Sequence, residues 1–173
     1  MTISLYDITV GQYLQITGAA VGFFERGAKH CADEGSNPDD LVGQRLAGDM
    51  LPLAFQAASI AHHSIGAIEG VKAGVFGPPG QVAATSYADL QKIVGDADAA
   101  LKALSPDEVN ALAGKDVVFE LGAMKMPFTA EGFLLSFSLP NFYFHATTAY
   151  DILRANGVPL GKRYFLGALK LKG

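Results

Sequence analysis

Cysteine is almost missing from this chain: Cys31 stands alone among 173 residues, which excludes an intrachain disulfide and any metal cage built from several thiolates of one chain. Charge is sparse as well. Only 17% of the residues are Asp, Glu, Lys or Arg, half are apolar, and the mean hydropathy is +0.24. So little charged surface covers a monomer poorly, and burial of part of the apolar surface in a homo-oligomer is expected. A basic excess is lacking too. With 13 Lys and Arg against 17 Asp and Glu the net charge is −4, which leaves nothing to neutralise a phosphate backbone and excludes nucleic acid as a ligand. The opening MTISLYDITV has neither the basic start nor the apolar run of a signal peptide, and no lipidation motif is present, so the expected compartment is the cytoplasm.

Strong catalytic motifs are also absent. There is no G-x-S-x-G elbow and no H-E-x-x-H, and Cys31 has no recognisable nucleophile context. Gly77-Pro78-Pro79-Gly80 lacks the lysine and the following Ser/Thr of a phosphate loop and reads as a turn. Two segments, Met50–Ile68 and Phe133–Tyr150, carry no Asp, Glu, Lys or Arg and approach membrane-spanning length. Both contain groups that are costly in hydrocarbon, among them Gln56, His62 and His63 in the first and Asn141 and His145 in the second. Buried helices of a bundle account for them, and no membrane span is expected.

What is present is helical periodicity in a length suited to one domain, residues 1–173. Leu5 to about Glu34 returns apolar side chains at Tyr13, Ile16, Ala20, Phe23 and Phe24, and Gly35-Ser36-Asn37-Pro38 ends the run. Pro38 with Asp39 and Asp40 opens a short connecting helix to about Leu46. Asp49 is the candidate N-cap of a second helix, with Pro52 in its opening turn and a run from Leu53 to about Val71. Residues 73–85 read as a surface loop. Ser86 caps a third helix to about Leu104, and Ser105-Pro106-Asp107-Glu108 restarts a short turn. Val117–Leu121 and Met124–Phe128 flank Gly122-Ala123 as a hairpin. Thr129 caps a fourth helix, Glu131 to Asn156, kinked at Pro140 and stopped by Gly157. The predicted fold is mainly α: a four-helix bundle with a short β-hairpin before the last helix.

Four histidines limit any imidazole site to His30, His62, His63 and His145. At about 100° per residue, Gln56, Ile60 and His63 share one stripe of the second helix while His62 turns away. By the same count Asn141, His145, Thr148 and Ile152 share a stripe of the fourth. Facing stripes of this kind build the core sites of helix bundles, and neutral imidazoles can hold a divalent metal that activates water. Two histidines with amide oxygens from Gln56 and Asn141 are a thin ligand set. The bland alternative is a hydrogen-bonded cluster of the same four side chains that fixes helix register. His30 beside Cys31, at a helix end, reads as an ordinary pair.

The segment LPNFYFHATTAYDILRANGVPLGKRYFLG at 139–167 resembles the closing segment of a family of uncharacterised bacterial proteins in the DinB/YfiT-like superfamily. MTISLYDITV and DMLPLAFQ at 49–56 are similar to it too. The resemblance covers nearly the whole chain and implies a DinB-like four-helix bundle, usually a homodimer. Members of the superfamily often bind a divalent metal through three histidines, one on the second helix and two spaced i, i+4 on the last; some are thiol-dependent transferases or hydrolases. Matching the helix exit Leu153-Arg154-Ala155-Asn156-Gly157-Val158 places His145 on the last of those histidines, Asn141 on its i−4 partner and Gln56 approximately on the first. One of three ligands is retained, with His63 available as a substitute.

Three functions follow as expectations. The leading one is a small ligand bound in the bundle core by Gln56, Asn141, His145 and Thr148, beside a degenerate metal site. The second is a divalent-metal-dependent hydrolase or thiol transferase, with zinc, nickel or manganese on His63 and His145. The third is a non-catalytic, dimeric interaction protein.

Overall fold

The chain turns helical at Leu5 because Ser4 and Asp7 cap each other's backbone N–H groups, a reciprocal box that starts α1, Leu5–Ile8. The computed structural model describes residues 3–82 and 84–172. Met1, Thr2 and Gly173 of the expected domain, and Ala83 of the loop expected over 73–85, lie outside the described residues. A break at Thr9 separates α1 from α2, Val10–Glu34, and Gly35 ends α2 in the left-handed region at φ 68°.

The connection after α2 is shorter than its sequence predicts. Asn37 caps a single 3₁₀ turn at Pro38–Leu41, and the chain then leaves helical geometry well before Leu46. Asp49 does not cap the second helix either. That helix begins at Leu53 with Pro52 at the cap position, and its apolar run is cut at His63-Ser64 into α3, Leu53–His62, and α4, Ile65–Ala73. At the cut the chain meets a distant partner: the buried Ser138 hydroxyl, from the adjacent last long helix, donates to the His63 carbonyl at 2.6 Å. That hydroxyl has one hydrogen, so the Tyr13 hydroxyl, 2.7 Å from Ser138 Oγ, must donate to it.

Residues 73–85 are not all loop. Val75–Phe76 form β1, which pairs in parallel with β2, Asp116–Leu121, in the register Val75↔Val118 and Phe76↔Phe119. β2 then pairs antiparallel with β3, Met124–Thr129, through the expected turn at Gly122. Gly70 makes the addition of β1 possible, since a Cβ there would lie 2.7 Å from the Phe76 ring. Between β1 and β2 run α5, Tyr87–Ala103, capped by Ser86 as predicted with Asp89 completing a reciprocal box, and the short α6, Pro106–Asn110.

Thr129 caps the last long helix as expected, and the helix is irregular in the turn that precedes Pro140. It opens as α7, Ala130–Phe133, passes through a π-helical turn at Leu134–Ser138, and continues as α8, Leu139–Ala155. Pro140 sits in the first turn of α8, where its missing N–H is harmless, and the irregularity falls in the turn before it. Gly157, at φ 90°, makes the stop, and the exit coils into α9, Lys162–Leu166, which the sequence did not announce.

Around the bundle the order is α2, α5, α3, α8, each packed on its neighbours in that ring. Tyr13, Phe23, Phe24, Ile60, Leu90 and Phe142 fill its centre, all fully buried. The three-stranded sheet closes one end against α4 and α7. Among the described residues no helix is long and apolar enough to cross a membrane.

Candidate functional site

The two predicted stripes do face each other, across the seam between α3 and α8. Gln56 is buried, and its amide is oriented by the backbone: Nε2 donates to the Leu51 carbonyl at 2.8 Å. Its oxygen is therefore turned to His145, 2.8 Å from Nδ1. An amide oxygen can only accept, so His145 Nδ1 carries the proton, and in a neutral ring Nε2 is left as a bare lone pair. A second partner thus fixes the tautomer in the manner of an outer-shell residue behind a ligating histidine.

His63 lies beside it, with ring planes 12° apart and centroids separated by 5.5 Å. It is only 6% exposed, whereas His62 is half-buried and directs Nε2 to the Gly77 carbonyl at 2.8 Å, as the periodicity predicted for an inward His63 and an outward His62. Burial lowers His63 to a pKa of about 3, with the neighbouring His62 and His145 adding repulsion, and burial lowers His145 to about 4. Both imidazoles are neutral at pH 7. No carboxylate, lysine or arginine contributes to either shift, and His62 adds repulsion to both.

The surroundings are aromatic. Phe76 stacks on His62 at 4.3 Å and stands 5.7 Å from His63; Phe137, on the π-helical turn, is 6.0 Å from His63; Phe55 and Phe144 meet His145 edge-on. The sheet thus has a role at the site, because β1 carries Phe76 onto the histidine pair. Two buried polar atoms in this region, His63 Nδ1 and Ser59 Oγ, have no hydrogen-bond partner among the described residues.

Other predicted members behave differently. Asn141 donates Nδ2 to the Phe137 carbonyl at 2.8 Å, and Thr148 donates its hydroxyl to the Phe144 carbonyl at 2.7 Å, so each is tied to its own helix. The four-residue hydrogen-bonded cluster is reduced to the one bond between Gln56 and His145. Thr148 also lines an open groove of about 530 Å³ with Leu46, Tyr143 and Phe144. The parts that Ser59, Phe76, Tyr13 and Ser138 take in this region escape the sequence reading. Ser59 alone had a signal, since it stands four residues before His63 on the same face.

A three-ligand metal set does not assemble from these residues. The Gln56 oxygen is taken by His145, Asn141 is held by backbone, and among the described residues no group of three or more His, Cys, Asp or Glu side chains is arranged to hold a metal ion. His63 and His145 supply two imidazoles, short of the three protein ligands of ordinary catalytic zinc sites. At the other end of α2, Cys31 is buried and free, and His30 lies near Gly157.

The fold has a solved counterpart. A crystal structure of a DinB family member protein from Shewanella denitrificans superposes with a TM-score of 0.80 at 26% identity, over 98% of this chain and 95% of that one. No curated protein matches. The model of a family described as a domain of unknown function, DUF1993, matches residues 5–166. With nearly its full length covered, the chain belongs to the DUF1993 family and has the DinB-like fold.

Proposed function

We propose that the α3–α8 seam binds a small, uncharged molecule whose donor group meets the bare Nε2 of His145, with Gln56 orienting the ring and Asn141 and Thr148 bordering the site. The observation that carries this reading is the fixed tautomer of His145, an acceptor left without a protein partner among the described residues. The unpaired His63 Nδ1 and Ser59 Oγ support it, because buried polar atoms of a purely structural seam are normally paired. Lack of charge follows from the same environment. Desolvation that holds two imidazoles neutral equally disfavours an ionic ligand, and no counter-charge faces it.

Benzyl alcohol, benzoate and benzylamine share one aromatic body and differ in head-group charge, which makes them suitable probes. Titrated against ring-labelled protein, benzyl alcohol is expected to shift the His145 resonances saturably and the two ions to do so weakly. His145→Ala, checked for folding by circular dichroism, should abolish the shift. No response from benzyl alcohol or from a panel of neutral phenols and amides would end the ligand reading.

A second reading has one observation in its favour: two neutral, parallel imidazoles 5.5 Å apart. On that reading His63 and His145 hold a divalent zinc, nickel or manganese ion. Elemental analysis after equilibration with each metal, giving one metal per chain that is lost in His145→Ala, would establish it in place of the first. The homodimer is supported by exposed Leu46, Leu51, Leu135 and Phe144, the last 55% exposed. Sedimentation equilibrium tests it, and a monomer at micromolar concentration would refute it.

A further inference from the structure

Arginine is scarce here, and three of the four, Arg26, Arg154 and Arg163, converge where α8 runs out into α9; the fourth is Arg45. Arg154 and Arg163 line a groove of about 570 Å³ whose apolar wall is Val158, Pro159 and Leu160. Tyr164 forms part of the same groove and is held from two sides. The Arg26 guanidinium lies 3.9 Å from its ring centre, and Arg163 donates to its hydroxyl at 2.6 Å. Arg154, also in the lining, donates to the Leu160 carbonyl, which ties that guanidinium to the groove.

Five of the nine lysines, Lys29, Lys72, Lys92, Lys102 and Lys125, are ion-paired, whereas among the described residues none of the four arginines is. In a chain with 17 carboxylates, the side chains best shaped to take a carboxylate fork are left without one, grouped around a concavity. Each guanidinium in the groove spends one N–H on the protein and keeps the others. With its oxygen accepting from Arg163, the Tyr164 hydroxyl also keeps its own proton to donate.

We infer that this groove is a second binding site, for a small oxyanion: a phosphate monoester or a carboxylate gripped between Arg154 and Arg163, with its apolar body on Val158 and Pro159. It lies apart from the histidine seam, and nothing in that reading depends on it. A dianionic phosphate suits two converging guanidiniums better than a monoanion does.

Phenyl phosphate, benzoate and benzyl alcohol, titrated by calorimetry at low ionic strength, test the assignment. Phenyl phosphate is expected to saturate the protein and to weaken as salt is raised. Arg154→Gln and Arg163→Gln should each cost roughly tenfold or more in affinity, the scale of a lost charge-assisted hydrogen bond. Arg45→Gln, outside the groove, should bind as the parent does. If Arg154→Gln loosens the helix exit, Arg163→Gln and the charge-retaining Arg163→Lys still decide the matter, since both lose the guanidinium fork and only the glutamine loses the charge as well. Benzoate equal to phenyl phosphate would assign a carboxylate ligand to the same groove. Binding unchanged in both glutamine variants, or no saturation by either anion below about 10 mM, where affinity falls under that of a weak specific site, would overturn the inference.

Discussion

Along the seam between α2 and α5, Thr17 gives its hydroxyl to Asp98 at 2.8 Å, Lys102 covers the same carboxylate at 2.6 Å, and Tyr87 gives its hydroxyl to the Phe24 carbonyl at 2.9 Å. Along the seam between α3 and α8, Gln56 and His145 pair once, while His63 Nδ1 and Ser59 Oγ pair with nothing among the described residues. Both seams belong to one bundle with one style of apolar packing. The two seams differ in how far their polar groups are satisfied: the first closes its hydrogen bonds and so defines register, and the second leaves buried polar atoms unpaired at a cost in stability.

The largest expected effect comes from breaking the closed seam. Gly27 lies under the Tyr87 hydroxyl, and a Cβ there would overlap it. Gly27→Ala should therefore push Tyr87 away from the Phe24 carbonyl and cost about 2–4 kcal/mol, the range of overpacking together with a lost buried hydrogen bond. Urea denaturation measures it, and a loss below about 0.5 kcal/mol would mean that this seam is as slack as the other.

A medium effect should arise from mild acid at the open seam, where the lowered histidines lie. His63 and His145 have folded pKa values of about 3 and about 4, below the usual 6.5 that both recover on unfolding. Below pH 6.5 the unfolded chain takes up protons that the folded one refuses, so stability falls as pH drops from 6.5 toward 4. Each histidine contributes at most about 1.4 kcal/mol per pH unit, less for the partly exposed His145. Between pH 6.5 and 5 the slope should be clear in the parent and markedly reduced in His63→Phe; equal slopes would remove the buried neutral pair from the account.

The smallest effect sharpens the comparison by its sign. Ser59→Ala deletes a buried hydroxyl that has no partner among the described residues, so stability should stay level or rise by up to about 1 kcal/mol. Thr17→Val, which strips a donor from Asp98 in the closed seam, should lose about 1–3 kcal/mol in the same assay. The reverse order would contradict the contrast between seams.

Much of the fold was legible because its signals are local. Ser86, Thr129, Gly35 and Gly157 cap or stop helices through bonds within a few residues of themselves, and Gly122 turns the hairpin in the same way. The rest depends on partners far along the chain. The cut at His63-Ser64 meets Ser138, and β1 exists because β2 lies beside it. The π-helical turn inserts a local change of period that a fixed 100° count passes over. At the site, periodicity brought Gln56, His63 and His145 to one seam, yet it could not tell that Asn141 and Thr148 would spend their donors on carbonyls four residues back.

His145 is the hub of the open seam, and nitrogen-15 chemical shifts of its ring report protonation and tautomer together. At pH 7 and still at pH 5, Nδ1 should be protonated and Nε2 bare, and Gln56→Leu should release that preference while leaving the helices intact. A ring protonated at Nε2, or one titrating near 6.5, would contradict the claim that Gln56 and burial hold an open acceptor at the centre of this bundle.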